Sequence, residues 1–250
     1  MDFEPIAWSN DFTFSVGDAR FLMTLGDYTL KTDQDRIIML KDKGFLAAYT
    51  GLLRNHSVRN MLEFGIFEGG SQLFFASATS VRRISAIEIA PPSEAVLGHV
   101  ERLGLQKRVR LHYNTSQSDR EKVTAILDRD FEGEPLDLII DDASHMYEHS
   151  LAAFEIAFPR LRAGGLYVIE DWGWAHWGGE VFAQPEWRAQ NSMTTMVFEL
   201  TMALGSQHGL MSKIEITPYY TAITKGALPS PPGFRLQDVI RLGGRKFTAL

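Results

Sequence analysis

The feature that most constrains the fold is a change of sequence period near residue 60. From there to residue 171, short apolar strands alternate with segments of helical periodicity. Strands that alternate with helices favour a parallel sheet covered on both faces and joined by right-handed crossovers. The sequence therefore predicts an α/β fold with a Rossmann-like, mostly parallel sheet and an antiparallel last strand.

The predicted elements divide the chain into three parts. Strands are expected at 60–65, 83–89, 109–113, 136–142 and 165–171, and helices at 71–79, 93–103, 119–129 and 149–161, the last stopped by Gly164-Gly165. A terminal antiparallel pair is expected at 213–217 and 220–225. We predict an N-terminal helical cap (1–55), a catalytic domain (56–228) and a C-terminal tail (229–250) that begins in a proline-rich stretch.

Composition excludes several classes of function. The chain has no cysteine, which removes disulfides, zinc–thiolate sites, iron–sulfur clusters and thiol nucleophiles. Its 25 basic and 31 acidic residues give a net charge of −6, which argues against a nucleic acid as the main partner. We see no secretory signal and no apolar run near the ~20 residues of a membrane span. These features predict a cytoplasmic enzyme without a membrane partner.

A glycine-rich loop follows the first predicted strand, in Glu63-Phe-Gly-Ile-Phe-Glu-Gly-Gly-Ser71. Gly65 permits a tight turn, and Gly69 with Gly70 lets the backbone approach a ligand. Phe67 replaces the second glycine of the dinucleotide fingerprint, and Glu63 and Glu68 place two negative charges that repel a diphosphate. An acidic strand end instead suits a ligand with a cationic amino group, such as S-adenosylmethionine (SAM). Ser71 and the helix N-terminus could receive its carboxylate.

An acidic residue also ends the second predicted strand. Glu88 lies twenty-three residues after Gly65, and a carboxylate there can accept hydrogen bonds from both ribose hydroxyls of a nucleoside. The alternative is a solvated glutamate, which is common at strand ends. The loop and the acid together favour a nucleoside cofactor.

Carboxylates follow two further strands. Asp141, Asp142 and His145 follow the fourth, and Glu170 and Asp171 follow the fifth. Such acids would repel one another without a cation, and hard oxygen ligands select Mg²⁺, or else Mn²⁺ or Ca²⁺. His145 is then close enough to act as a general base. In the alternative interpretation, Asp141 caps the next turn and His145 shares a helix face with His149.

The pattern resembles the class I SAM-dependent methyltransferases, in particular the metal-dependent O-methyltransferases. Glu63-x-Gly65-x-x-x-Gly69-x-Ser71 resembles their first motif, Glu88 their ribose-binding acid, and Asn114-Thr-Ser116-Gln117 their adenine-contacting segment. The resemblance implies metal ligands at Asp142, Glu170 and Asp171. The residues expected to bind the cofactor are Glu63, Gly65, Phe67, Gly69, Ser71, Glu88, Ser116, Gln117 and Asp141.

One group within that family is most similar. Asp-Asp-x-Ser-His with Ile-Glu-Asp resembles the macrocin and mycinamicin sugar O-methyltransferases, which implies that His145, beside the metal ligand Asp142, is the catalytic base. The resemblance implies methylation of a sugar hydroxyl of a natural product or oligosaccharide. Cephalosporin hydroxylase-like proteins share the signature, so an oxidoreductase on the same fold is one rival. A non-catalytic nucleoside-binding protein is another, and the acidic balance disfavours a nucleic-acid methyltransferase.

Tryptophans are concentrated directly after the second acidic pair. Trp172, Trp174 and Trp177 alternate with Gly and His, and Trp187 closes the stretch. We predict a lid around 172–192 that stacks on the acceptor and opens at Gly178-Gly179. The alternative is that these rings pack an oligomer interface, and we expect a homodimer.

Overall fold

The computed structural model describes residues 1–177 and 185–246. The chain divides into two compact units, Met1–Asp137 and Leu138–Leu250. This division falls within a strand of the predicted catalytic domain. The predicted boundaries near residues 55 and 228 stay predictions.

The N-terminal region is a small sheet, so the predicted helical cap is wrong over its first forty residues. Its strands are β1 (Ala7–Trp8), β2 (Thr13–Val16), β3 (Ala19–Met23) and β4 (Ile37–Met39), in that order. β1 to β3 pair antiparallel, and β4 runs parallel to β3. Only α1 (Lys43–Leu53) is helical, and it begins where the Asp42 carboxylate accepts a hydrogen bond from the Phe45 amide.

Aromatic packing joins this sheet to the helix that follows the glycine loop. That helix, α2 (Gly70–Ala78), places Phe74 edge-on to Phe14 and Phe21, with ring centroids 6.0 and 6.1 Å away. Phe14 and Phe21 stack on each other at 4.8 Å. Offset and edge-to-face pairs of buried rings add to the burial of apolar area. The small sheet therefore supports the helix in which the candidate cofactor loop ends.

Three parallel strands complete the first unit. They are β5 (Asn60–Phe64), β6 (Arg83–Ile87) and β7 (Val109–His112), in that order, and α3 (Glu94–Arg102) and α4 (Arg120–Phe131) follow the second and third. Ser93 caps α3 and Asp119 caps α4, each through a side-chain oxygen that accepts a backbone N–H. These elements lie within about two residues of their predicted positions.

The second unit carries the remaining strands in the order β8, β9, β11, β10. Their bounds are β8 (Leu136–Asp141), β9 (Leu161–Glu170), β10 (Met211–Ile216) and β11 (Tyr220–Lys225). β11 pairs antiparallel with both β9 and β10, as predicted for the terminal pair.

The helices of this unit differ more from prediction. α5 (Tyr147–Ala157) gives way to a 3₁₀ turn at Phe158–Arg160, because Pro159 has no amide hydrogen to continue the helix. Gly164 and Gly165 therefore lie inside β9 instead of ending a helix. α6 (Pro185–Arg188) and α7 (Met193–Ser206) were not predicted. The signal for α7 was present in its buried positions Met193, Met196, Val197, Leu200 and Ala203.

The α/β class is confirmed, with parallel strands followed by helices and an antiparallel last strand. Across residues 1–177 and 185–246, no helix is both long enough and apolar enough to cross a membrane.

Candidate cofactor loop and acid–histidine cluster

The glycine loop of the first unit forms the predicted tight turn. Gly65 and Gly69 have φ angles of +96° and +77°, which residues other than glycine rarely adopt. Gly69 stands directly before α2, so the loop ends at a helix N-terminus with its backbone N–H groups. Phe67 also has a positive φ of +48° and its ring is 39% exposed.

Gly70 lies close to another backbone segment of the protein, whereas the prediction was a close approach to a ligand. A Cβ atom at this position would lie 2.6 Å from the carbonyl oxygen of Ile38 and 2.7 Å from Cα of Met39. The close backbone approach at Gly70 is therefore to β4, within the protein itself. Gly70 joins the loop to the N-terminal sheet.

The charge on Glu68 is neutralised by the N-terminal segment. Its carboxylate lies 2.9 Å from Nζ of Lys31 and accepts a hydrogen bond of 2.7 Å from the amide of Thr32. The Thr32 hydroxyl donates to the carbonyl of Glu68 at 2.7 Å. The predicted repulsion of a diphosphate by Glu63 and Glu68 is therefore weaker than the sequence indicated, because Lys31 offsets the charge of Glu68. Sequence reasoning missed Lys31 and Thr32, which lie in a segment without a clear period.

Glu63 is fully buried at the end of β5, where it accepts a hydrogen bond of 2.6 Å from the Ser71 hydroxyl. Both residues were predicted to bind the cofactor, and the structure brings them together. Ser71 lies in the first turn of α2, so its backbone N–H is one of those with no partner inside the helix.

Glu88 closes the loop from the other side. One carboxylate oxygen accepts hydrogen bonds of 3.0 Å from the amides of Ile66 and Phe67, and the other accepts one of 2.9 Å from Ala90. Burial alone would raise the pKa of Glu88, but these backbone N–H groups together hold the pKa below its ordinary value. Glu88 is therefore ionised and holds the glycine loop in place.

The segment that carries Ser116 and Gln117 reaches the same strand end. The amides of Asn114 and Thr115 donate to the carbonyls of Ala90 and Glu88. Gln117 is buried, and the Ser116 hydroxyl lies 2.9 Å from that of Ser118. Glu63, Gly65, Phe67, Gly69, Ser71, Glu88 and this segment thus surround one strand-end region of the first unit.

In the second unit, Asp141 is buried and accepts a hydrogen bond of 3.3 Å from the Tyr167 hydroxyl. Burial, followed by the charge of Asp141, raises the pKa of Tyr167 well above its ordinary value, so the phenol stays a donor. Asp141 does not cap α5, because Met146 occupies the N-cap position. Its predicted contact with the cofactor stays a prediction.

The structure brings Asp142, His145 and Asp171 together. One ligand atom from each lies within 4.8 Å of the other two. Nε2 of His145 is 3.9 Å from Oδ1 of Asp142 and 4.0 Å from Oδ2 of Asp171, both longer than a hydrogen bond. The three side chains are 10% to 26% exposed, so a ligand can reach them from solvent. We call these three residues the acid–histidine cluster.

Two members of the acid–histidine cluster have strained backbones. His145 and Asp171 both have φ of +53°, a left-handed conformation that costs a residue with a side chain roughly 1–2 kcal/mol. Such conformations concentrate at functional sites, where the surrounding structure enforces them. The two carboxylates of this cluster suit a hard divalent cation, and the imidazole lies beside them.

Glu170 does not join this group in the described part of the chain. It is the last residue of β9, 2% exposed, and pairs in the ladder with Tyr220. Its role as a metal ligand stays a prediction. His149 lies on α5, away from the loop that carries His145, so the alternative shared helix face is not observed.

Tryptophans pack against the acid–histidine cluster. The Trp174 ring centroid lies 4.1 Å from that of His145, and Trp187 lies 5.6 Å from Trp174. Trp172 is anchored by a hydrogen bond of 2.9 Å from Nε1 to the carbonyl of Thr217. A cavity of about 240 Å³ opens beside His145. Its lining includes Met146, Trp174, Trp187, Asn191 and Met193. The predicted hinge at Gly178-Gly179 lies outside the described residues, and both the lid and its alternative, an oligomer interface, stay predictions.

Three comparisons with known proteins agree with this arrangement. Residues 62–172 match a family described as a methyltransferase domain. The mycinamicin VI 2''-O-methyltransferase of Micromonospora griseorubida is 35% identical over 133 residues, which cover 50% of this chain and 30% of that protein. The demethylmacrocin O-methyltransferase of Streptomyces fradiae is 53% identical over 45 residues, 18% of this chain and 11% of that protein.

A solved structure matches as well. The MycE methyltransferase of the mycinamycin pathway, in complex with Mg, SAH and mycinamycin VI, has a TM-score of 0.54 and 28% identity, over 73% of this chain and 49% of that one. The chain thus spans about half the length of that structure and less than a third of the curated relatives it matches.

The mixed α/β fold is that of class I methyltransferases, which are its structural neighbours, and residues 62–172 carry the match to a methyltransferase domain. Within that class, the chain is homologous to the macrocin and mycinamicin sugar O-methyltransferases of natural-product pathways. The resemblance drawn from the sequence is thereby confirmed.

Proposed function

We propose that this protein is a SAM-dependent O-methyltransferase that methylates a sugar hydroxyl of a natural product or oligosaccharide. The observation that carries the proposal is the acid–histidine cluster. It accompanies similarity to O-methyltransferases whose names include rhamnosyl and olivosyl acceptors. The acceptor is therefore a small molecule, and we expect the reaction in the cytoplasm and a homodimeric enzyme.

The first unit would hold the cofactor. Glu88 already accepts three backbone N–H bonds, and a carboxylate has about four lone-pair positions, which leaves room for a ribose hydroxyl. The N-terminal N–H groups of α2 suit the cofactor carboxylate, and Glu63 supplies negative charge for its ammonium.

The second unit would perform the proton chemistry. Asp142 and Asp171, with Glu170 as a further predicted ligand, would hold Mg²⁺, for which carboxylate oxygens are suited. Bound there, the ion would lower the pKa of an acceptor hydroxyl and orient it.

His145 is the proposed base, because an imidazole nitrogen can accept a proton and its Nε2 lies about 4 Å from both carboxylates. It takes the proton of the acceptor hydroxyl. SAM, when bound, would supply the methyl group: the acceptor oxygen would bond to it, and the electron pair of the broken carbon–sulfur bond would stay on sulfur. The residues contribute alignment, since in-line methyl transfer depends on the geometry of the reacting atoms.

Methyl transfer to a panel of deoxysugar glycosides tests this proposal, with labelled SAM and with product detection by mass. We expect a methylated glycoside in the presence of Mg²⁺ and a loss of at least a hundredfold in rate with excess chelator, restored by Mg²⁺. Full activity in chelator contradicts the metal role. SAM binding without transfer to any sugar favours the nucleoside-binding rival, and hydroxylation of the acceptor favours the oxidoreductase.

A further inference from the structure

We propose that the acceptor carries a second, hydroxyl-rich and non-anionic group, and that this group binds in a cavity formed by α5 and the C-terminal tail. The inference rests on the proposed function, because it names a part of the acceptor of that reaction. The cavity has a volume of about 470 Å³, within the range of small-molecule sites.

The cavity shares a lining residue with the cavity beside His145. Asn191 lines both cavities, and Tyr147, which begins α5, follows His145 by only two residues. An acceptor whose reacting sugar lies against His145 and Trp174 can therefore extend past Asn191. We call the cavity beside His145 the inner cavity and the one formed by α5 and the C-terminal tail the outer cavity. The inner cavity includes aromatic rings and methionines, whereas the outer cavity is lined mainly by polar side chains.

The polar groups of the outer cavity are held in place by neighbours. Arg235 pairs at 2.5 Å with Glu155, which is 5% exposed and also accepts a hydrogen bond from the Leu236 amide. The Tyr147 hydroxyl donates to Glu199 at 2.8 Å, and Nε2 of Gln237 lies 3.4 Å from both. Burial, followed by the hydrogen bond to Glu199, raises the pKa of Tyr147 to about 12, so the phenol stays protonated.

Charge selects among polar ligands. The lining residues carry three carboxylates, Glu148, Glu155 and Asp238, and one cation, Arg235, which Glu155 already pairs. An anionic group such as a phosphate would therefore meet uncompensated negative charge. Hydroxyl groups can donate to these carboxylates and to the amide oxygen of Gln237, and can exchange hydrogen bonds with the side-chain amide of Asn191. A second sugar residue has this chemistry.

The test compares two probes on the enzyme loaded with Mg²⁺ and S-adenosylhomocysteine. They are methyl α-L-rhamnoside and the methyl glycoside of a disaccharide that ends in rhamnose. Saturation-transfer NMR reports which ring contacts the protein, and titration gives each Kd without turnover. We expect the disaccharide to bind about tenfold more tightly, with saturation on both rings.

The variant Gln237→Ala changes an exposed side chain that lines the outer cavity and not the one beside His145. It should remove several-fold of the disaccharide preference and leave the Kd of the monosaccharide unchanged. Gln106→Ala, an exposed glutamine of the first unit, is the matched control and should change neither Kd.

Equal Kd values for the two probes, or a Gln237→Ala variant that weakens both probes equally, overturn this inference while the proposed function stands. Tighter binding of a nucleotide-diphosphate rhamnose than of the methyl glycoside overturns the charge argument and with it the inference. Binding of neither sugar, with S-adenosylhomocysteine still bound, overturns the proposed sugar acceptor itself.

Discussion

Acidic residues serve opposite purposes in the two units of the molecule. In the first unit, Glu88 and Glu68 are held by backbone N–H groups and by Lys31, at hydrogen-bond distances of 2.7 to 3.0 Å. In the second, Asp142 and Asp171 lie about 4 Å from His145, and two of these three residues have strained backbones. The first arrangement stabilises the fold by itself. The second costs free energy, which a bound cation would offset.

The largest test of this difference changes the histidine. His145→Asn should lower kcat by about 10²–10⁴, because the amide cannot take a proton, while the Kd for SAM stays unchanged. Asn tolerates positive φ, so the backbone conformation at φ +53° is retained. Steady-state kinetics and calorimetry measure the two quantities. His149→Asn is the matched control, and an equal loss in both variants would remove His145 from its proposed role.

The second test separates stability from activity. Glu88→Gln should lower the free energy of unfolding by about 1–3 kcal/mol at pH 7, because three hydrogen bonds to a charged acceptor are weakened. Asp142→Asn should leave it unchanged or raise it in metal-free buffer, since one of two nearby carboxylates loses its charge. Urea unfolding measures both.

The same pair has a pH signature. The folded-state pKa of Glu88 is lowered, so its stabilisation is fully present above the unfolded-state pKa and is lost as the pH falls through the folded-state value. The stability difference between wild type and Glu88→Gln should therefore shrink below about pH 4. A difference that grows in acid contradicts the assignment.

A third test concerns the ring beside His145. Trp174→Ala should raise the KM for the acceptor by about tenfold and leave the Kd for SAM unchanged, because the ring contacts the acid–histidine cluster in the second unit. Trp177→Ala removes a ring that is 46% exposed, and it should have a smaller effect. Equal losses of acceptor and SAM affinity would reject a role for Trp174 in acceptor binding.

The smallest effect is expected at Lys31. Lys31→Ala should raise the Kd for SAM by only two- to threefold, because the side chain is 64% exposed and surface ion pairs contribute about 0–1 kcal/mol. Calorimetry with SAM measures the change, and Lys213→Ala, which breaks an exposed pair with Glu215, is the control. A loss of tenfold or more would mean that Lys31 contacts the cofactor directly.

The sequence predicted most of the parallel strands and helices, since their periods are regular and their caps, Ser93 and Asp119, are explicit. It failed for β1 to β4, because most of this N-terminal segment mixes aromatic and polar residues without a clear period. α7 was also not predicted, although its buried residues follow helical spacing.

The acid–histidine cluster was predicted only in part. Asp142, His145 and Asp171 converge, but Glu170 and Asp171 could not be told apart from the sequence. Neighbouring residues in a strand point to opposite faces, and Glu170 still belongs to β9, whereas Asp171 lies past its end with a left-handed backbone. Only the three-dimensional structure shows this difference between Glu170 and Asp171. The partners of Glu68 were equally invisible, because Lys31 lies thirty-seven residues earlier.

Gly70 sets a limit on how this chain can be shortened or altered. With Ile38 and Met39 pressed against its Cα, even an alanine there would push β4 away from the loop. The same contact makes a version of the protein that starts at residue 56 a poor test of catalysis, since its loop would lose the surface on which it rests. The turns between the first strands can be changed without touching this contact, whereas any side chain at Gly70 separates the two backbones.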